Sequence, residues 1–153
     1  MQFIEQLLSN EILIASFFGW LIAQVLKTII YVAVNKNFNP ERLLGDGGMP
    51  SSHSATVMAL VTATALNFGA DTFEFSIAAV LALIVMHDAM GVRRETGKQA
   101  KVINNMMEWF VKMDSDISPE QKLKEFVGHT PLQVMFGALL GILVGFVACG
   151  IIG

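Results

Sequence analysis

Charge is scarce in this chain. Of its 153 residues only 15% are Asp, Glu, Lys or Arg, while 54% are hydrophobic, and that balance excludes an ordinary soluble domain. Cysteine occurs once, at Cys149 inside an apolar stretch, so no intrachain disulfide can form and cysteine pairing says nothing about compartment. Cys149 reads as a small packing residue. Basic runs interleaved with aromatics are missing and the net charge is only -3, which leaves no electrostatic footprint for nucleic acid. The opening MQFIEQLLSN has neither Lys nor Arg and therefore lacks the basic start of a cleaved secretory signal. The first apolar span is expected to be retained. Repeats and low-complexity stretches are also missing.

What the chain does have is long apolar runs, at residues 12–34, 54–70, 73–91 and 131–152, the second being the shortest. A bilayer core needs roughly 20 apolar residues per helix. The expected architecture is all-α: one integral membrane domain over residues 1–153, a polytopic bundle of about four transmembrane helices. The segment 92–130 is too polar to span. Val102, Ile103, Met106, Met107 and Phe110 recur there at helical spacing with Lys and Asn between them, which predicts an amphipathic helix on the membrane surface. Further on, Ser118-Pro119-Glu120-Gln121 supplies an N-cap, a first-turn proline and a capping-box glutamine, and Gly128 can close the short helix they begin.

Four spans put segments 35–53 and 92–130 on one side and both termini, with the link near Asp71, on the other. Lys36, Arg42, Arg93, Arg94, Lys98, Lys101, Lys112, Lys122 and Lys124 fall on the first side and no Lys or Arg falls on the second. The remaining base, Lys27, lies within span one. Basic residues are retained in the cytoplasm, so the polar segments are expected to be cytoplasmic and both termini external. A prokaryotic plasma membrane is the expected location.

Three polar clusters break the apolar pattern: GGMPSSHSA at 47–55, HDAMGVRRETGKQA at 87–100 and GHTPLQV at 128–134. Each abuts the cytoplasmic end of a span, and such convergence points to a single site. In the first, glycines and Pro50 lead through Ser51, Ser52 and His53 directly into a helix, an arrangement that attracts phosphate. A glycine turn with a serine cap would look similar, but two serines and a histidine exceed what a cap needs. In the second, Arg93 and Arg94 suit phosphate through their paired donors, although two arginines at a helix end are also ordinary topology anchors. Asp88, a carboxylate at the end of an apolar helix, could serve an arginine or orient a histidine. In the third, Thr130, Pro131 and Gln133 read as a capping box, which leaves His129 unexplained. Lys27 sits about 12 Å inside the end of span one, where it can snorkel or point at a phosphate. The histidines have no local metal-ligand spacing and no acidic cluster beside them, so neither metal nor cofactor is expected.

At these residues the chain resembles the type 2 phosphatidic acid phosphatase superfamily, most closely its divergent branch, related to acid phosphatases and vanadium-dependent haloperoxidases. GGMPSSHSA is similar to the superfamily's Pro-Ser-Gly-His motif with Ser52 in the glycine position, HTPLQVMFGALLG to its His-x-x-x-Asp motif, and DAMGVRR to a pattern of the divergent branch. The resemblance covers most of the chain. It implies His129 as the nucleophile that becomes phosphorylated and His53 as the acid that protonates the leaving oxygen. Lys27, Ser51, Ser52 and one or both of Arg93 and Arg94 would hold the phosphate oxygens. The chain departs from the pattern at three places. Val34 and Asn35 stand where an Arg-Pro pair follows the lysine, Leu123 replaces an arginine six residues before the nucleophile, and Gln133 replaces the carboxylate that orients it. Arg93 or Arg94 would then substitute for the missing arginine, and Asp88 for the missing charge.

The expected function is therefore hydrolysis of a membrane lipid phosphate or prenyl diphosphate at the cytoplasmic face. The rival is a non-catalytic binding or assembly protein, or a small transporter component, that retains the phosphate pocket. Gly137, Gly141 and Gly145 on span four and Ala55, Ala59 and Ala63 on span two make small-xxx-small faces that can pack within one chain or between chains. A bundle this thin favours a homodimer.

Overall fold

The computed structural model describes residues 2–38, 48–113, 123 and 128–152. Every regular element within them is a helix: α1 (Gln2–Leu8), α2 (Glu11–Asn35), α3 (Ser52–Phe68), α4 (Phe73–Met90), α5 (Val92–Met113) and α6 (Pro131–Ile152). The four apolar runs appear as α2, α3, α4 and α6, with ends set by local caps. Asn10 accepts from the Leu13 N–H to open α2, and Lys36 in a left-handed conformation closes it on the Val32 carbonyl. Ser51 and Thr72 cap α3 and α4 in the same manner as Asn10. Gly91 separates α4 from α5. The short α1, with Phe3, Ile4 and Leu8 exposed, was not legible as a separate element.

Among the described residues, three stretches are long and apolar enough to cross a membrane: Glu11–Asn35, Phe73–Met113 and Pro131–Ile151. The fourth apolar helix, α3, has 17 residues and spans only about 26 Å at 1.5 Å per residue. Its position explains its composition. It packs against α2, α4 and α6, so its surface meets protein more than lipid and need not be strongly apolar. Its hydroxyls are satisfied internally: Thr56, Thr62 and Thr64 each donate to the carbonyl four residues back.

Small residues let the helices approach. A methyl group on Gly141 would run into the Ala55 carbonyl oxygen of α3, one on Gly137 into the Ser51 carbonyl, and one on Gly145 into Thr62. Gly19 of α2 lies against Ala55 and Ala59 from the other side. Lipid tails are as apolar as Leu, so such close packing is what drives membrane helices together. Both small-residue faces are thus occupied inside this one chain.

The expected amphipathic helix is α5. Only Gly97, Ala100 and Asn104 are buried along it, and Val102, Met106, Trp109, Phe110 and Met113 are exposed. The Asn104 carboxamide donates to the Leu123 carbonyl at 2.9 Å and accepts from the Leu123 N–H at 3.0 Å, which draws the chain back along α5. The helix expected from Ser118 to Gln121, together with Arg42, Gly47, Lys122 and Lys124, lies outside the described residues.

The helices alternate in direction. The end of α2 and the starts of α3 and α6 meet at one end of the bundle, where Lys27 reaches Ser52 and the Ser51 N–H reaches the Gln133 carbonyl. At the other end the Asn67 amide near the finish of α3 meets the Cys149 sulfur near the finish of α6.

Candidate functional site

The first turn of α3 organises the polar end of the bundle. Ser51 is wholly buried; its Oγ accepts from the Ser54 N–H at 3.3 Å and from the Ser54 hydroxyl at 3.0 Å. Its hydroxyl therefore works as a cap, and Ser52 is the serine turned toward Lys27. The Lys27 Nζ lies 3.5 Å from the Ser52 Oγ. Only 4% of Lys27 is exposed, so it points into the bundle and does not snorkel to the surface. Gly48, with φ +90°, passes over its aliphatic stem, where a Cβ would stand 3.1 Å from Cγ. The Pro-Ser-Ser segment is thereby laid across the lysine.

His129 is 2% exposed. Its backbone N–H donates to the Ala89 carbonyl at 2.9 Å, fixing it against the end of α4. Its Nδ1 lies 3.4 Å from the Gln133 Oε1. That same oxygen accepts from the Thr130 N–H at 3.0 Å, while the Gln133 N–H donates to the Thr130 hydroxyl at 3.4 Å. This is the reciprocal capping box expected from the sequence, and its glutamine also reaches the histidine ring. An oxygen facing the Thr130 N–H must be an acceptor, so the His129 ring proton belongs on Nδ1, toward Gln133.

His53, from the first turn of α3, brings its ring to 5.7 Å from that of His129, centroid to centroid, at 62° between planes. Residues from two of the polar clusters thus meet a lysine of α2, with Lys27, Ser52, His53, His129 and Gln133 around one end of α3. At the edge of this group, Arg93 Nε donates to the Asp88 Oδ2 at 2.9 Å, both side chains being about two-fifths exposed. Asp88 is therefore committed to Arg93, one of the two roles weighed for it. The pairing uses Nε and leaves the terminal nitrogens of Arg93 for a ligand. Arg94 is exposed. Its role here is made by the backbone, because Gly128, at φ +116°, lies against the Arg93–Arg94 main chain where a Cβ would collide. Among the described residues no group of three or more His, Cys, Asp or Glu converges.

Gln24 is a residue that sequence reasoning missed. It sits three positions before Lys27, is 5% exposed, and lines a cavity with His53. The available signal was an amide in an apolar run on the same helical face as the lysine.

A helical membrane bundle with a buried lysine and two facing histidines at one end is the class that fold and site define. The chain belongs to the divergent PAP2 family, whose profile matches residues 8–144, and so to a phosphatase-related superfamily. It is 42% identical over 151 residues to a Bacillus subtilis (strain 168) protein named uncharacterized membrane protein YuiD, with 93% of this chain and 96% of that relative covered. No solved structure matches.

Proposed function

We propose that the protein hydrolyses a membrane lipid phosphate or diphosphate through a phosphohistidine, with its site at the cytoplasmic face. The observation that carries this reading is the 5.7 Å pairing of His53 with His129 beside buried Lys27. The His129 Nε2 lone pair attacks phosphorus, the bond from phosphorus to the leaving oxygen breaks, and that oxygen takes a proton from His53. In the second half, water gives its proton to His53 as it attacks the phosphohistidine, and phosphate leaves with His129 restored. Lys27, the Ser52 hydroxyl and Arg93 offset the charge on the phosphoryl oxygens. These fixed donors supply the role that a metal would otherwise fill.

A second reading has its own observation. Gln133 holds the His129 ring but carries no charge to stabilise the imidazolium, which favours a non-catalytic phosphate-binding member of the family. Purified protein in detergent separates the two. Phosphate release from at least one lipid phosphate, inhibited by vanadate, is the expected result; vanadate binding without release from any substrate supports the second reading.

Orientation is tested in intact cells by a thiol reagent that cannot cross the membrane. In a Cys149→Ser background, Gln2→Cys should be modified from outside and Lys112→Cys only after lysis. The reverse pattern would invert the site to the external face.

A further inference from the structure

His53 forms part of the wall of a cavity of about 350 Å³ between α2, α3 and α4. Ser52 and His53 stand at its polar end; Trp20, Gln24, Thr56, Val57 and Val85 make the rest. Its chemistry changes with depth along α2. Lys27 is at the level of Ser52, Gln24 lies about 4.5 Å deeper and Trp20 about 6 Å deeper again, at 1.5 Å per residue. The sequence of surroundings is cationic, then amide and hydroxyl, then aromatic and aliphatic.

We propose that this cavity receives the leaving alcohol of the phosphate ester, and that Gln24 is its specificity-determining residue, hydrogen-bonding an oxygen on the second or third carbon of that alcohol. The inference rests on the hydrolytic reading of His53. A group that protonates the leaving oxygen must touch it, so the atoms beyond that oxygen enter the space that His53 borders. There they meet the Gln24 carboxamide, which has four hydrogen-bonding valences and so can engage a ligand as well as a protein group. Thr56 gives its hydroxyl hydrogen to the Ser52 carbonyl, so toward the cavity it can only accept. A carboxamide beside a hydroxyl acceptor suits an ester or hydroxyl group, as on a glycerol backbone. A prenyl alcohol offers only hydrocarbon at that depth. The volume lies at the small end of the range of ligand sites, roughly 300–1,000 Å³, room for a glycerol-sized unit whose chains continue into the bilayer. A site built to hydrogen-bond a polar group discriminates strongly against analogues that lack it.

The test compares wild type with Gln24→Leu on dioleoylglycerol phosphate, glycerol 3-phosphate and farnesyl phosphate in detergent micelles. For dioleoylglycerol phosphate kcat/KM should fall at least about tenfold, while farnesyl phosphate stays within about twofold. Glycerol 3-phosphate distinguishes sources: a preference for it over the lipid would identify a soluble polyol phosphate as the occupant. Equal losses on all substrates, or no loss, would overturn the role of Gln24. A second readout is independent of turnover. With Trp109→Phe, emission reports Trp20 alone, and saturable change with dioleoylglycerol phosphate should weaken at least about tenfold in Gln24→Leu. If wild type releases no phosphate, the hydrolase reading fails, yet this titration still decides whether Gln24 recognises the lipid. No shift there would sink the proposal by itself.

Discussion

Replacing His129 with alanine is expected to abolish phosphate release, by a factor on the order of 10⁴ or more, because the phosphohistidine of the proposed mechanism forms on its ring. His53→Ala should behave differently. Loss of a general acid costs roughly 10²–10⁴-fold when the leaving group is an alkoxide, and far less for nitrophenyl phosphate, whose anion departs without a proton. Comparing the two variants on an alkyl and a nitrophenyl ester therefore assigns the roles: a leaving-group-dependent loss for His53 and a uniform loss for His129. Acid-labile phosphate trapped on wild type and His53→Ala, but not on His129→Ala, is the companion result. Equal profiles for both variants would contradict the division of labour. Gln133→Glu belongs in the same series. A carboxylate 3.4 Å from Nδ1, at the place of Oε1, should preserve or raise activity by supplying the charge that the amide lacks.

The second large effect is on folding. Gly141→Leu places a branched side chain where even a methyl meets the Ala55 carbonyl and the Met58 Cβ, so α3 and α6 must separate. Overpacking of this kind costs about 3 kcal/mol or more, corresponding to a drop of roughly 10 °C in Tm. Gly150→Leu is the control, since a Cβ there meets nothing within 4 Å. Thermal unfolding of the purified proteins, followed by circular dichroism, should show the drop for Gly141→Leu alone. An unchanged Tm would mean that the glycine face does not carry the interface.

How much of this was legible beforehand follows from what a linear pattern encodes. Helical periodicity and caps are local, so α2, α3, α4, α5 and α6 could be drawn from apolar runs and from residues such as Pro131 and Gln133. The gathering of His53, His129 and Lys27 was also legible, because alternating spans must bring their polar ends to one side. Pairing between faces is not local. The glycines of α6 and the alanines of α3 each announced a small face, but only the folded chain shows that these faces meet each other. Asp88 offered two partners, and distance chose Arg93. Gln24 shares a helical face with Lys27, but it was passed over because His53, its neighbour in the cavity, lies on another helix. Gly128 looked like a helix terminator, whereas its positive φ and its contact with the Arg93–Arg94 backbone reflect a crossing of two chain segments.

The central place of α3 bears on biogenesis. A short helix carrying several hydroxyls partitions only weakly into lipid by itself, and its small face is matched by a groove on α6, which is synthesised after α4 and α5. During translation α3 can shelter against Gly19 of α2, but half of its surroundings do not yet exist. Ser51 cannot be tied to Gln133, nor His129 to Ala89, until that last helix has been inserted. The cluster is therefore completed late: a ribosome stalled before α6 leaves a chain in which Lys27 can meet Ser52 but Ser51 has no Gln133 carbonyl to bind.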